Sequence, residues 1–221
     1  MASFEFVRKK LRGEAENKNV NKRLSIYKEI FLRTGKKGWL PVGFLLPGED
    51  GTPGQADGKL LYYTEIEEVR PEVFEKFIRL LKKAYQAEPK KRKDDDMIKY
   101  LNEYHVFQLI DRLATEICSP ERDLDLGKIL DLAAHWAMTS DNQKLVKLAI
   151  VIMGALNLDE WEEYREVIVA LGKYEEFTFY SLFAVSGWSD AEKIARDYLK
   201  NLKGWGKTHA EVWLEPSAEW M

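Results

Sequence analysis

The chain has 221 residues, 45% hydrophobic and 32% charged, with a net charge of -3. This balance excludes a largely disordered chain and supplies enough apolar material for a core. No apolar run reaches the length of a membrane span, and the one cysteine, Cys118, excludes an internal disulfide or a cysteine-rich zinc site.

Cys118 reads as a small buried hydrophobe. The start, "MASFEFVRKKLRGEAENK", lacks the apolar centre of a secretory signal, so the expected location is the cytoplasm. Charge is unevenly spread: residues 1–38 carry eleven Lys/Arg against four glutamates, a net +7, which leaves -10 on the other 183 residues. A basic arm of this kind suits an anionic partner or the acidic body of its own chain. No aromatic or Gly/Arg pattern is interleaved with these charges, which favours the second reading.

Helices are predicted at 3–16 and 19–35, the second with Leu24, Tyr27, Ile30 and Phe31 on one face and Gly35 as its stop. The helical pattern then breaks. Residues 36–64 are rich in Gly and Pro and contain two Asp-Gly steps, the punctuation of a β-hairpin or long ordered loop. Candidate strands fall at 40–46 and 59–64. Asp50 and Asp57 lack the ligand spacing of a calcium loop and read as solvated turn residues. A long insertion of this kind is also a candidate binding element.

Pro71 opens the next helix from a first-turn position, with Val73, Phe77, Leu80, Leu81 and Tyr85 as its stripe. The run "PKKRKDDD" at 89–96 reads as a connector whose three aspartates cap a helix over roughly 95–118. Amphipathic helices follow at 125–138, 159–171 and 190–203, the second with Trp161 and Tyr164 on its apolar stripe and its acids on the opposite, solvated face. Between them lie helices apolar nearly all round, 144–156 and 177–187, and a third begins at Lys207. Capping boxes are expected at Ser140–Gln143, Asp159–Glu162 and Ser189–Glu192, and stops at Gly154, Gly172, Gly187 and Gly204. Gly154 to Gly187 is 33 residues and Gly172 to Gly204 is 32. A recurrence at that interval marks stacked helix pairs.

The stretch from "AIVIMGALNLDEWEEYREV" to "GKTHAEVWLEPS" resembles bacterial HEAT-like repeats, short helix pairs with tight turns and a small residue near each helix end. The resemblance implies a mainly α fold: a right-handed α-solenoid over 123–216, joined to N-terminal helices (1–35), the insertion (36–64) and further helices (71–118) in a single domain. It further implies a non-catalytic scaffold that holds a protein or peptide on a curved surface. A minority of such proteins resemble DNA-alkylpurine glycosylases, with a basic groove lined by aromatics, which sets the alternative of a nucleic-acid binder. Residues 120–221 hold eleven Lys/Arg against eighteen Asp/Glu, a balance unfavourable to a duplex.

No catalytic, metal or cofactor signature is present. His105, His135 and His209 form no helical metal pair, and no nucleophile elbow or dinucleotide loop occurs. Gly206-Lys207-Thr208 matches the tail of a phosphate loop, but Asn201 stands where the first glycine is required and a helix precedes it. The free N–H groups of that turn remain able to hold an anion. Trp188 and Trp205 each follow a glycine at a turn between helices. Together with Trp39, Lys207 and His209 they are the candidate partner-binding residues. The tail "EPSAEWM" is expected to cover the last helix pair with Trp220 or to leave that face for a homodimer.

Overall fold

The computed structural model describes residues 24–34, 38–88 and 92–215. The helix predicted at 3–16, part of the basic run at 89–96 and the tail from 216 lie outside the described residues. The regular structure among the described residues is helical throughout: eleven α-helices and two short 3-10 turns. The first helix is α1 (Ile26–Arg33), capped by Ser25, whose hydroxyl accepts from the Lys28 amide.

The strands expected at 40–46 and 59–64 are not formed. Residues 40–54 run as successive tight turns, closed by bonds such as Phe44 N–H to the Pro41 carbonyl and Glu49 N–H to the Leu46 carbonyl. Left-handed glycines at 43, 48 and 54 interrupt each extended piece before it is long enough to pair. Residues after Gly54 form α2 (Gln55–Tyr63), so the Asp57-Gly58 step read as a hairpin turn lies inside a helix.

The expected helix from Pro71 is α3 (Pro71–Gln86), whose buried stripe runs from Val73 to Tyr85. The expected helix over 95–118 is broken. α4 (Asp95–Glu103) ends where Tyr104 turns extended, and a 3-10 turn at Val106–Leu109 leads into α5 (Ile110–Glu116). Side-chain bonds fix the break: the His105 amide donates to the Gln108 side chain, which donates in turn to the Glu67 carbonyl. Cys118, beyond α5, is exposed rather than buried.

The remaining helices are α6 (Leu126–Thr139), α7 (Gln143–Ala155), α8 (Glu162–Gly172), α9 (Thr178–Val185), α10 (Ala191–Asn201) and α11 (Gly204–Leu214). α6 packs on α7, α8 on α9 and α10 on α11, while α7, α9 and α11 are neighbours in turn. α4 and α5 cover another side of α7, and α1 and α3 pack on α6. That enclosure explains why α7 is apolar all round: Leu145 to Met153 are all buried. Each such Leu, Ile or Val contributes roughly 1.5–3 kcal/mol. Gly154 marks a crossing as well as a helix end, because a Cβ there would stand 2.5 Å from the Ala184 Cα of α9.

The expected capping boxes are replaced by other bonds. Asn142, not Ser140, caps α7, accepting from the Lys144 and Leu145 amides. Trp161 and Asp190 precede α8 and α10 without side-chain caps. Asp159 is drawn away by Arg165 and by the Ser189 amide, so it is tied down rather than merely solvated. Trp161, placed on a core stripe by periodicity, is 52% exposed because the helix starts one residue after it. Gly204 does not end a helix. It opens α11 in the left-handed region, at φ +50.

Candidate functional site

The most unusual chemistry in the molecule is a charged centre in its interior. Lys147 projects from the apolar helix α7 and is 6% exposed. Its ammonium donates to Asp57 Oδ2 at 2.7 Å and to a carboxylate oxygen of Glu176, which stands in the turn between α8 and α9. Tyr180 Oη of α9 donates to the same Asp57 oxygen at 2.7 Å, and the Gly54 amide donates to the other oxygen of Glu176 at 2.5 Å.

Burial pushes the Asp57 carboxyl up, but the Lys147 charge and the bonds from Lys147 and Tyr180 outweigh it and hold it below the usual carboxylate range. Burial likewise draws Lys147 down. The two carboxylates more than offset that, so Lys147 stays charged beyond the ordinary lysine range. An ammonium so held has no lone pair to offer, which removes it as a general base or imine-forming amine. The centre ties together α2, α7, the turn between α8 and α9, and α9.

A second cluster extends it along α2 and α11. Tyr62 Oη and His209 Nδ1 share a hydrogen bond at 2.7 Å. Tyr62 also stacks on Trp205, with centroids 6.3 Å apart and planes 7° from parallel. Trp205 fills the space a Cβ at Gly58 would need, coming within 2.2 Å of it. Burial lowers the His209 pKa to about 4, so the imidazole is neutral, and raises that of Tyr62 to about 12.

The phosphate-loop-like turn does hold an anion, and it comes from the same chain. The Lys203 and Trp205 amides donate to the Glu175 carboxylate, one oxygen of which lies 2.6 Å from where a Gly204 Cβ would stand. Burial nonetheless keeps the Glu175 pKa above its usual value. Gly204 is needed for both its φ and this close approach.

A cleft of about 350 Å³ opens between residues 39–45 and 51–53, Lys173–Glu175 and the end of α10. Trp39 walls it, set edge-on against Tyr198 with the Lys173 ammonium 5.3 Å from its ring centre. Lys173 also donates to the Gly38 carbonyl at 2.7 Å, and Lys203 is a further lining residue of the cleft. Val42, 81% exposed, and Leu45, 42% exposed, present apolar surface at its edge.

The five residues singled out from sequence are therefore dispersed. Trp205 and His209 meet at α2, and Trp39 lines the cleft. Trp188 is buried beneath Arg165, whose guanidinium lies 4.3 Å from its ring and is anchored by Asp159 and Asp190. It packs between turns and is not on a ridge. Lys207 is exposed and pairs with Glu211 at 3.5 Å. Sequence reasoning passed over Lys147, Asp57, Glu176 and Tyr180. Lys147 had a signal, since it is the one charge in "LVKLAIVIM"; Asp57, read as a solvated turn residue, is instead 6% exposed. Among the described residues no group of His, Cys, Asp and Glu could hold a metal ion, and no helix is long and apolar enough to cross a membrane. No protein-family model, curated protein or solved structure matches the chain.

Proposed function

We propose that this chain is a non-catalytic, HEAT-like scaffold, a right-handed α-solenoid built from the pairs α6/α7, α8/α9 and α10/α11, that binds protein or peptide segments. The observation that carries the reading is the open cleft at Trp39, with exposed Val42 and Leu45 and a cationic rim from Lys173 and Lys203. Exposed apolar side chains grouped around a half-buried tryptophan are the composition of a partner anchor, not of a solvated turn. The successive contacts α7–α9–α11 support the stacked-pair arrangement.

The test is binding of an array of random 15-residue peptides by the full chain and by Val42→Asp and Trp39→Ala variants. Peptides selected by the native chain should bind Val42→Asp at least tenfold more weakly with an unchanged melting curve. Unchanged binding by both variants, or no selected peptide, overturns the reading. The nucleic-acid alternative is weakened because Lys147, Arg165, Arg196 and Lys207 are already committed to carboxylates. A salt-sensitive shift of labelled duplex DNA would restore it.

A further inference from the structure

A second cavity, of about 410 Å³, shares no lining residue with the Trp39 cleft. It lies where the start of α1, the turns at 46–50, Asn102 of α4 and the connection from α6 into α7 meet. Glu29, Glu49, Asp50 and Asp141 line it against Lys144, four carboxylates to one ammonium. That ammonium is committed to the Asn102 side-chain oxygen at 2.9 Å. Leu24, Ile26 and Leu46 add apolar wall.

Glu29 is the anomaly of this cavity. An acid in the first turn of a helix is ordinarily a solvated partner of the helix dipole, and Glu29 holds that position in α1. Yet its side chain is only 10% exposed, and its Oε2 receives no hydrogen bond. The Arg33 guanidinium stands 3.6 Å from that oxygen on a side chain 58% exposed, within ion-pair range but beyond a hydrogen bond. A buried carboxylate oxygen without a donor is costly, and a bound donor would recover that cost. Glu49, in contrast, is already oriented: the Leu46 amide and the Tyr174 hydroxyl donate to its Oε2, and the Gln143 side chain to its Oε1.

The lining restricts what the missing donor can be. An anion is opposed by four carboxylates, and the starts of α1 and α7 are capped by Ser25 and Asn142. Among the described residues no group of His, Cys, Asp and Glu could hold a metal ion. An organic cation fits, one whose several donors reach separated oxygens and whose alkyl stem suits the apolar wall; an arginine side chain has both. We propose that this cavity is a binding site for an arginine side chain, with Glu29 as its buried acceptor. Such a side chain can come from a partner protein or from Arg8, Arg12 or Arg23 of this chain's own basic arm, which joins at Leu24 on the cavity wall.

The test is titration of the isotope-labelled full chain with Nα-acetyl-arginine amide, followed by amide NMR shifts. Saturable shifts should centre on Ile26, Glu29, Leu46, Glu49 and residues 141–144. Glu29→Gln should weaken binding at least about tenfold. Asp141→Asn, at an exposed position, should weaken it about threefold with an unchanged melting curve. Arg33→Ala should tighten it, because Arg33 competes for the Glu29 oxygen. The uncharged isostere Nα-acetyl-citrulline amide should give no saturable shift, and Nα-acetyl-lysine amide should bind more weakly than the arginine probe. A chain carrying Arg8→Gln, Arg12→Gln and Arg23→Gln distinguishes the sources. Equal affinity in the native and substituted chains assigns the site to a partner's arginine, and tighter binding by the substituted chain assigns it to the arm. No saturable shift in either chain, unchanged affinity in Glu29→Gln, weaker binding in Arg33→Ala, or equal binding of the citrulline or lysine probe overturns the proposal. So does failure of Glu29→Gln to fold, which would make Glu29 a structural acid. None of these outcomes bears on binding at Val42 and Trp39, which has its own test.

Discussion

Two regions of this molecule are held by different forces. Helices α6–α11 are joined by apolar burial: α7 is enclosed by α4, α5, α6 and α9, and Ala184 closes on Gly154. The segment 38–63 adds to its own apolar packing, with Leu46 buried and Phe44, Leu60 and Leu61 against the core, a set of directed polar contacts: Asp57 to Lys147, Gly54 to Glu176, Lys173 to the Gly38 carbonyl and Tyr62 to His209. The first kind of cohesion is shared over many contacts and tolerates the loss of any one. The second is concentrated in a few groups and depends on their protonation.

The largest effect that separates the regions is expected at Lys147. Lys147→Met leaves Asp57 and Glu176 buried without their cation, with a cost of about 3–5 kcal/mol in urea unfolding. Adding Asp57→Asn and Glu176→Gln should recover part of that loss. A single variant within 1 kcal/mol of the native chain would show that the centre bears little of the attachment.

Acid provides the next test. The folded pKa of His209, about 4, lies below its ordinary value of 6.5, so its contribution is fully present above pH 6.5 and is lost as pH falls toward 4. The loss reaches at most roughly 3 kcal/mol. Asp57, held below the usual carboxylate range, protonates only at lower pH, which keeps the two windows apart. Urea midpoints between pH 7 and 4.5 should fall for the native chain and stay flatter for His209→Gln; identical slopes would remove His209 from the attachment.

The framework should respond to Gly154→Ala, whose methyl meets backbone at Ala184. Overpacking there costs about 1–3 kcal/mol and should lower the whole unfolding transition, whereas Gly58→Ala should act first on α2. Hydrogen exchange distinguishes the two, and a Gly154→Ala effect confined to α2 would break the comparison. The smallest effect is expected at Lys207→Ala, which removes one exposed pair with Glu211 and should change stability by about 0.5 kcal/mol or less.

Much of the framework was legible along the chain. The stripe from Val73 to Tyr85, the all-round apolarity of α7 and the recurring glycines placed seven of the helices within a few residues of where they lie. The insertion misled because Asp-Gly steps and prolines are hairpin punctuation, and what turns residues 55–63 into a helix is their seat on Trp205 and Lys147. Asp159 was a sound capping residue by local rules until Arg165 and the Ser189 amide drew it away. Trp188 and Trp205 looked equivalent, each following a glycine; one lies under Arg165 and the other against α2.

By itself, then, the sequence determined the helical class, the place of most helices and the exceptional position of a lysine inside an apolar run. Those properties are written in patterns a few residues to one repeat long, because helix periodicity and capping act over that range. The tertiary structure alone decided that Lys147 meets Asp57 across 90 positions, that Tyr62 meets His209 across 147, and that the anion at the Gly204 turn is Glu175. Pairings at such separations leave no local trace. They arise only when burial makes each of these polar groups depend on finding a partner, and the folded layers set which partner is within reach.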